Sequence, residues 1–448
     1  MAYIPNTQED QERMLEAIGV ASIDELFETI PAELRLKGDL NIPGRMDQIS
    51  LSRRMEKLAA KNQDAHKLPT FLGAGVYDHY VPPTVAAITG RSEFYTSYTP
   101  YQPELSQGVL QSIFEFQTLI CNLSGMDVAN ASMYDCATAL AEAAIMAGEL
   151  TGRSKIVVLG SVNPAYRDVV STYLRHMKLT LHVLDTPEGA GAAADVAAVL
   201  DDDTAALLVQ HPNFYGNLED VAALGEAAHA AGALFVVSYD PISLGILTPP
   251  GEYDADIAVA EGQSLGCPMG YGGPLLGLFG CKQKFLRRIP GRLVGQATDG
   301  DGKRAFVMTL RTREQDIRRE RATSNICTNV ALYALAATVY LATVGKRGLR
   351  EVAELCVHKA HYAAKEIAGI PGFSLAFPET SFFKEFVVQC PEDPAKINAA
   401  LLAKGIVGGL PLTSVSEDLK NGMLITVTEQ RTREEIDQLV EELRAFAV

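Results

Sequence analysis

The sequence predicts an α/β protein: a large domain on a mostly parallel sheet, preceded by a helical segment and followed by a smaller α/β domain. Three observations predict it. From about residue 130, short apolar runs rich in β-branched residues alternate with Ala-rich helical stretches. These runs lack the in-out alternation of a half-exposed strand, so both faces of the sheet must be covered. The 448 residues exceed one average domain, and a content of 47% hydrophobic and 21% charged residues belongs to a folded chain rather than a disordered or collagen-like one.

Residues 1–70 read as short helices. Thr7 opens one carrying Met14, Leu15 and Ile18, Ser22 a second and Ser50 a third through Leu58, with Pro31, Pro43 and Pro69 as breaks. Residues 71–325 form the predicted large domain. Its strands are Lys155–Gly160, Leu179–Asp185, Ala205–Gln210, Leu234–Ser238, Ile257–Ala260 and Leu275–Gly280, with helices between them such as Ala222–Ala231. Residues 326–448 form the smaller one. A long apolar helix, Val330–Val344, leads to strands at Phe373–Ala376, Phe386–Gln389 and Met423–Thr426 and to helices at Pro394–Lys404 and Thr432–Phe446. The last helix starts Thr-Arg-Glu-Glu, a capping box with acids at the positive end of the helix dipole.

Charge narrows the classes of function. The 55 acids against 39 Lys and Arg give a net charge of −16, which argues against general affinity for nucleic acid or anionic membranes and favours small molecules or proteins as partners. Seven scattered Cys without a C-x-x-C pair suit a reducing compartment. No apolar run reaches the ~18 residues of a membrane span and the N-terminus is acidic and amphipathic, so a cytoplasmic location is expected. The charge is uneven. Residues 179–281 hold 14 acids and no Lys or Arg, whereas residues 282–325 hold 12 basic and 5 acidic residues. Either solvated faces simply differ, or Arg311, Arg313, Arg318, Arg319 and Arg321 bind an acidic group of a partner or a phosphate.

The strand ending Ser238-Tyr-Asp240 is the most informative, because ligands of open α/β sheets sit beyond the carboxyl ends of strands. In pyridoxal-phosphate enzymes of the large aminotransferase-like fold, such an Asp pairs with the pyridinium nitrogen and a Lys some way downstream carries the Schiff base. Asp240 reads equally well as a strand-end cap before Pro241. A cofactor Lys would belong near the start of the loop that begins Glu261-Gly-Gln263, but Gln263 stands there, and an amide is no nucleophile. The phosphate cradle is also missing. The helix around Ser132 to Met146 has no Gly before Gly148 and puts Asp135 where a phosphate would sit, so a helix cap is the better reading. Asn163 replaces the aromatic or His that often stacks on the pyridine ring in this fold. Gly262-Gln-Ser-Leu-Gly266 matches the serine-hydrolase elbow formally, yet Pro268 and Gly270 follow where a helix should start. His176 and His182 are not at a helical metal spacing, His211-Pro-Asn reads as a strand-end turn, Cys121, Cys136, Cys267 and Cys281 read as buried small hydrophobes, and no metal is expected.

Tyr95-Thr-Ser-Tyr98-Thr99-Pro-Tyr101-Gln102-Pro-Glu104 is a stiff polar loop with three tyrosines. It reads as an interface or substrate-facing loop in preference to a purely structural one.

Four stretches carry a resemblance: Phe71-Leu-Gly-Ala-Gly through Val81-Pro-Pro83, Tyr98-Thr-Pro-Tyr-Gln-Pro-Glu-Leu-Ser-Gln-Gly108, Met269-Gly-Tyr-Gly-Gly-Pro274, and Arg311-Thr-Arg-Glu-Gln through Arg321-Ala-Thr-Ser-Asn-Ile-Cys327. Through them the chain resembles the P-proteins of the glycine cleavage system, and among these the first, or alpha, subunit of the two-subunit form. The resemblance implies a heteromeric glycine dehydrogenase, expected as alpha2beta2, whose beta subunit carries pyridoxal phosphate on its own Lys. That enzyme decarboxylates glycine and passes the aminomethyl group to the lipoyl arm of H-protein. Aligned on the glycine-rich loop, Gln263 takes the Lys position. Asp135, Asn163, Asp240 and Gln263 would then be vestigial cofactor positions, and the isolated chain would be inactive. Tyr95, Tyr98, Thr99, Tyr101, Gln102 and Glu104 would wall the partner's pocket or the lipoyl channel. Two other readings compete: a noncatalytic scaffold or regulatory chain, and an autonomous cofactor enzyme with a displaced Lys such as Lys303.

Overall fold

The computed structural model describes residues 5–448, which divide into a unit ending at Gln63 and a unit spanning Asp64–Val448. In the first unit, Thr7 caps the helix Gln8–Ile18 in a reciprocal pair with Asp10, and Ser22 precedes a 3-10 turn at Ile23–Phe27. The third helix is Gln48–Ala59 and its cap is Asp47, not Ser50; the Ser50 amide donates to the Asp47 carboxylate at 2.9 Å. A carboxylate three residues earlier reaches the free amides of the first turn, which leaves Ser50 inside the helix. None of these helices has a buried side chain.

The second unit is organised around two sheets. Strands β1 (Val128–Ala129), β2 (Lys155–Leu159), β3 (Thr180–Leu184), β4 (Thr204–His211), β5 (Leu234–Tyr239), β6 (Ile257–Glu261) and β7 (Gly277–Cys281) form one sheet in the order β1-β7-β6-β5-β4-β2-β3. The pairings among β2 to β6 are parallel, and β7 and β1 add antiparallel strands at one side. Strands β4 to β7 are almost wholly buried, as their unbroken apolar runs require, whereas the edge strand β3 is half exposed. The segment after Cys281, unassigned from sequence, folds into a hairpin, β8 (Leu293–Thr298) and β9 (Arg304–Thr309), whose Val294, Phe306 and Met308 pack with Leu110 and Ile113 of the helix Gln107–Ser124.

The second sheet is antiparallel, with β10 (Ser374–Leu375), β11 (Glu385–Gln389), β12 (Leu410–Pro411) and β13 (Gly422–Thr426) in the order β10-β11-β13-β12. The apolar helix predicted at Val330–Val344 runs from Ala331 to Ala368, with a non-helical Gly345 (φ 59°, ψ −175°) that only glycine adopts readily. Its first half packs Ala334, Ala337 and Tyr340 beneath the large sheet, and its second half packs Ala360, Ala363 and Ile367 against the small one. The basic and acidic blocks of the sequence meet here. Lys282 lies 2.8 Å from Asp254 and 2.9 Å from Asp256, so part of the charge asymmetry is neutralised within the unit.

Candidate site at the carboxyl ends of the strands

The parallel strands deliver their last residues to one place. Ser238 and Asp240 follow from β5, Glu261 and Gln263 from β6, Gln210 from β4, and the helix Cys136–Thr151 points its amino end at the same region. A strap from Phe71 to Tyr80 crosses it. Ala74 N–H donates to Glu385 (2.8 Å), Tyr77 OH to the same carboxylate (2.8 Å), and Tyr80 N–H to Glu429 (2.6 Å).

Gln263, 1% exposed, is fully engaged. Its Oε1 accepts from Tyr77 N–H (2.9 Å), while its Nε2 donates to the carbonyls of Tyr77 (3.0 Å) and Cys267 (2.8 Å). Asp240 is also occupied. Lys384, buried just before β11, places its Nζ 2.6 Å from Asp240 Oδ2 and 3.0 Å from His79 Nε2, with the Tyr77 ring centroid at 3.5 Å. His79 Nδ1 in turn lies 2.6 Å from Glu429. Burial pushes the Glu429 carboxyl up, but the adjacent His79 and the hydrogen bonds from His79 and the Tyr80 amide outweigh it and hold the group down at about 2.

The helix amino end is taken by carboxylates. Asp135 caps it, accepting from Thr138 N–H at 2.7 Å, and Glu261 accepts from Cys136 N–H at 3.1 Å. Burial raises Glu261 to about 8, against the three backbone amides that favour its ionised form. Asn163 caps the helix Pro164–Leu174 and donates to Ala74 C=O at 3.0 Å, which ties it to the strap. The space left among these groups is about 30 Å³. That is room on the scale of one or two waters, not of a pyridine ring with its phosphate, so the residues present do not fit pyridoxal phosphate. Lys303 cannot supply the imine, because it stands exposed in the β8–β9 turn beside Asp301 (3.7 Å). Ser264 lies in a turn that no helix follows, and its buried hydroxyl has no partner, unlike a hydrolase nucleophile. His79, Cys356 and Glu429 bring three donor atoms within 4.8 Å of one another, but the Cys356 thiol and His79 both bond to Glu429, and the Lys384 ammonium adjoins them.

The tyrosine loop forms a separate feature. Tyr95 and Tyr98 are 69% and 83% exposed, and with Thr99, Asn329 and Leu332 they line an open hollow of about 240 Å³. Gln102 and Glu104 are exposed beside it without lining it. Tyr101 is anchored from below, where buried Arg292 donates to its hydroxyl (2.8 Å) and to Cys327 C=O, and Arg311 lies 5.2 Å over its ring. The five arginines do not make one patch. Arg313 is tied to the carbonyls of Ile289 and Gly291, Arg311 to Asp316 (2.6 Å), and Arg318, Arg319 and Arg321 face solvent. The residues missed from sequence are Tyr77, His79, Lys384, Glu385 and Glu429 at the strand ends, and Arg292 under the loop. One signal was readable: Lys384-Glu385 interrupts the apolar run Phe382-Phe383…Phe386-Val-Val, and buried strands carry charge only where it is paired.

Comparison with known proteins agrees with this architecture. A family model described as "Glycine cleavage system P-protein" matches residues 1–443. A relative from Desulforamulus reducens, named "Probable glycine dehydrogenase (decarboxylating) subunit 1", is 52% identical with all of each chain covered. One of the same name from Thermomicrobium roseum is 52% identical over 99% of each chain. Among solved structures, one titled as glycine decarboxylase (P-protein) of the glycine cleavage system in inhibitor-bound form superposes with a TM-score of 0.91 at 44% identity, covering all of both chains. A NIFS-like protein (TM-score 0.62, 13% identity, 84% and 98% coverage) shares the fold alone. The chain belongs to the glycine cleavage system P-protein family.

Proposed function

We propose that this chain is one subunit of glycine dehydrogenase (decarboxylating), and that it completes an active site whose pyridoxal phosphate is held on a Lys of a second, beta, subunit. The observation that carries the reading is the full-length similarity, 52% identity over 447 residues, to a relative whose name ends in "subunit 1". Gln263 at the Schiff-base position and Lys384 on Asp240 support placing the cofactor in the partner. The reaction is release of CO2 from glycine, with transfer of the aminomethyl group to the lipoyl arm of H-protein, in an alpha2beta2 assembly in the cytoplasm. Among the described residues no helix is long and apolar enough to cross a membrane.

This chain's own contribution is to shape and close the pocket. Tyr95, Tyr98, Thr99, Tyr101, Gln102 and Glu104 offer contact area with polar tips, and the basic residues Arg318, Arg319 and Arg321 suit an acidic partner surface. The first unit supports assembly as well. It exposes Met14, Ile18, Phe27, Leu34, Ile42 and Met55, an apolar surface of the kind another chain covers.

The test is reconstitution with the beta subunit. The chain alone is colourless and inactive, and adding the partner yields glycine-dependent CO2 release. Replacing Tyr98 and Glu104 by Ala lowers that rate while the chain stays folded; unchanged kinetics remove the loop from the site. A scaffold or regulatory role takes over if the partner is fully active without this chain.

A further inference from the structure

Lys384 is 1% exposed, and three different groups receive its ammonium. The Asp240 carboxylate lies at 2.6 Å, the His79 imidazole nitrogen at 3.0 Å, and the face of Tyr77 at 3.5 Å to its centroid. An anion, a lone-pair acceptor and an aromatic face converging on one point are what recognition of an alkylammonium requires. The contributors come from distant parts of the unit: the end of β5, the strap, and the residue preceding β11, with Glu429 beyond β13 holding His79 in place. The Asp240 Oδ1 is fixed independently by Ile242 N–H at 2.9 Å, so the carboxylate is presented whether or not Lys384 is there.

We propose that the strand-end pocket is a binding site for a primary alkylammonium group and that Lys384 is its resident ligand, joining the small sheet and the strap to the large sheet. The inference rests on this geometry and stands apart from the glycine reading. A chain that supplies its own cation at Asp240 holds the two sheets together without any bound molecule.

The experiment uses the full chain. Lys384→Ala removes the ammonium and the three methylenes beyond Cβ, the volume of propylammonium. The variant melts roughly 5 °C or more below the parent, since a buried carboxylate loses its counter-ion. Tens of millimolar propylammonium restores several degrees to the variant and nothing to the parent, whereas propanol and tetramethylammonium restore neither. Equal melting temperatures, or equal rescue by propanol, overturn the proposal. Should the variant not fold, limited acetylation of the folded parent decides. Lys384 stays unmodified while Lys303 reacts, and Asp240→Asn, by loosening the ammonium, raises Lys384 labelling severalfold. Labelling of Lys384 that Asp240→Asn leaves unchanged overturns it, as does borohydride trapping of pyridoxal phosphate on Lys384 in the parent chain.

Discussion

The side chain of Gln263 pairs with the backbone of Tyr77 in both directions, accepting its N–H at 2.9 Å and donating to its C=O at 3.0 Å. The carboxamide thus acts as a peptide group would in a sheet, and it holds the strap over the strand ends. A Lys at this position has no acceptor, so it would orphan the buried Tyr77 N–H. Gln263→Lys is expected to cost about 2–3 kcal/mol in chemical denaturation and to gain no pyridoxal-imine absorbance. A variant as stable as the parent would show that the pairing is dispensable.

Arg292 anchors Tyr101 through its guanidinium, whose NH2 reaches both the Tyr101 hydroxyl and the Cys327 carbonyl while its Cζ lies 5.4 Å from the ring centroid. Arg292→Lys is expected to lose roughly 2 kcal/mol and to reduce glycine-dependent CO2 release in the reconstituted enzyme. Tyr101→Phe keeps the ring contact and removes one acceptor, so its loss is nearer ~1 kcal/mol. If the two variants lose equal amounts, the arginine acts only through that hydroxyl.

Gly73 has no room for a side chain. A Cβ there would lie 2.0 Å from Thr426 Oγ1 and 2.6 Å from Glu385 Oε1, both buried and bonded to each other at 2.8 Å. Gly73→Ala should lower stability by more than about 2 kcal/mol by urea denaturation, through displacement of the strap. A loss below half a kcal/mol would mean that the strap shifts freely.

Two buried groups set opposite pH dependences. Burial raises Glu142 from 4.5 to about 7, despite its hydrogen bond with Ser324, so folding takes up a proton between those values and stability falls as pH rises through that window. Burial lowers His211 from 6.5 to about 4, so the unfolded chain holds the extra proton there and stability rises with pH from 4 to 6.5. The two oppose each other between pH 4.5 and 6.5. Above 6.5 the Glu142 loss is uncompensated, and Glu261, raised to about 8, extends it. Glu142→Gln should gain on the order of 2–3 kcal/mol at pH 7 relative to pH 5. An unchanged slope of the urea midpoint against pH would assign the loss to other groups.

Local pattern alone was enough for the parallel strands β2 to β6 of the large sheet. Lys155–Leu159, Leu234–Tyr239 and Ile257–Glu261 lie within a residue or so of their apolar runs, because a strand buried on both faces needs nothing but apolar, β-branched side chains to be recognised. Thr7, Asp135 and Thr432 also cap their helices as read, since a cap is decided within four residues. The absence of Lys at residue 263 was equally visible. The helical continuation beyond Gly345 to Ala368 and the β8–β9 hairpin were not, because the apolar run that marks the helix stops at Val344 and a two-stranded hairpin is recognisable only from what it packs against.

What the residues at the strand ends touch was decided by tertiary structure. Nothing local tells that Lys384 crosses to Asp240, that His79 reaches Glu429, or that Arg292 lies beneath Tyr101, since each pair is brought together from separate elements. The sequence determined that residue 263 carries no amine. Folding determined that the Lys384 ammonium stands beside Asp240, because a carboxylate left at the end of a buried strand is tolerable only with a cation beside it.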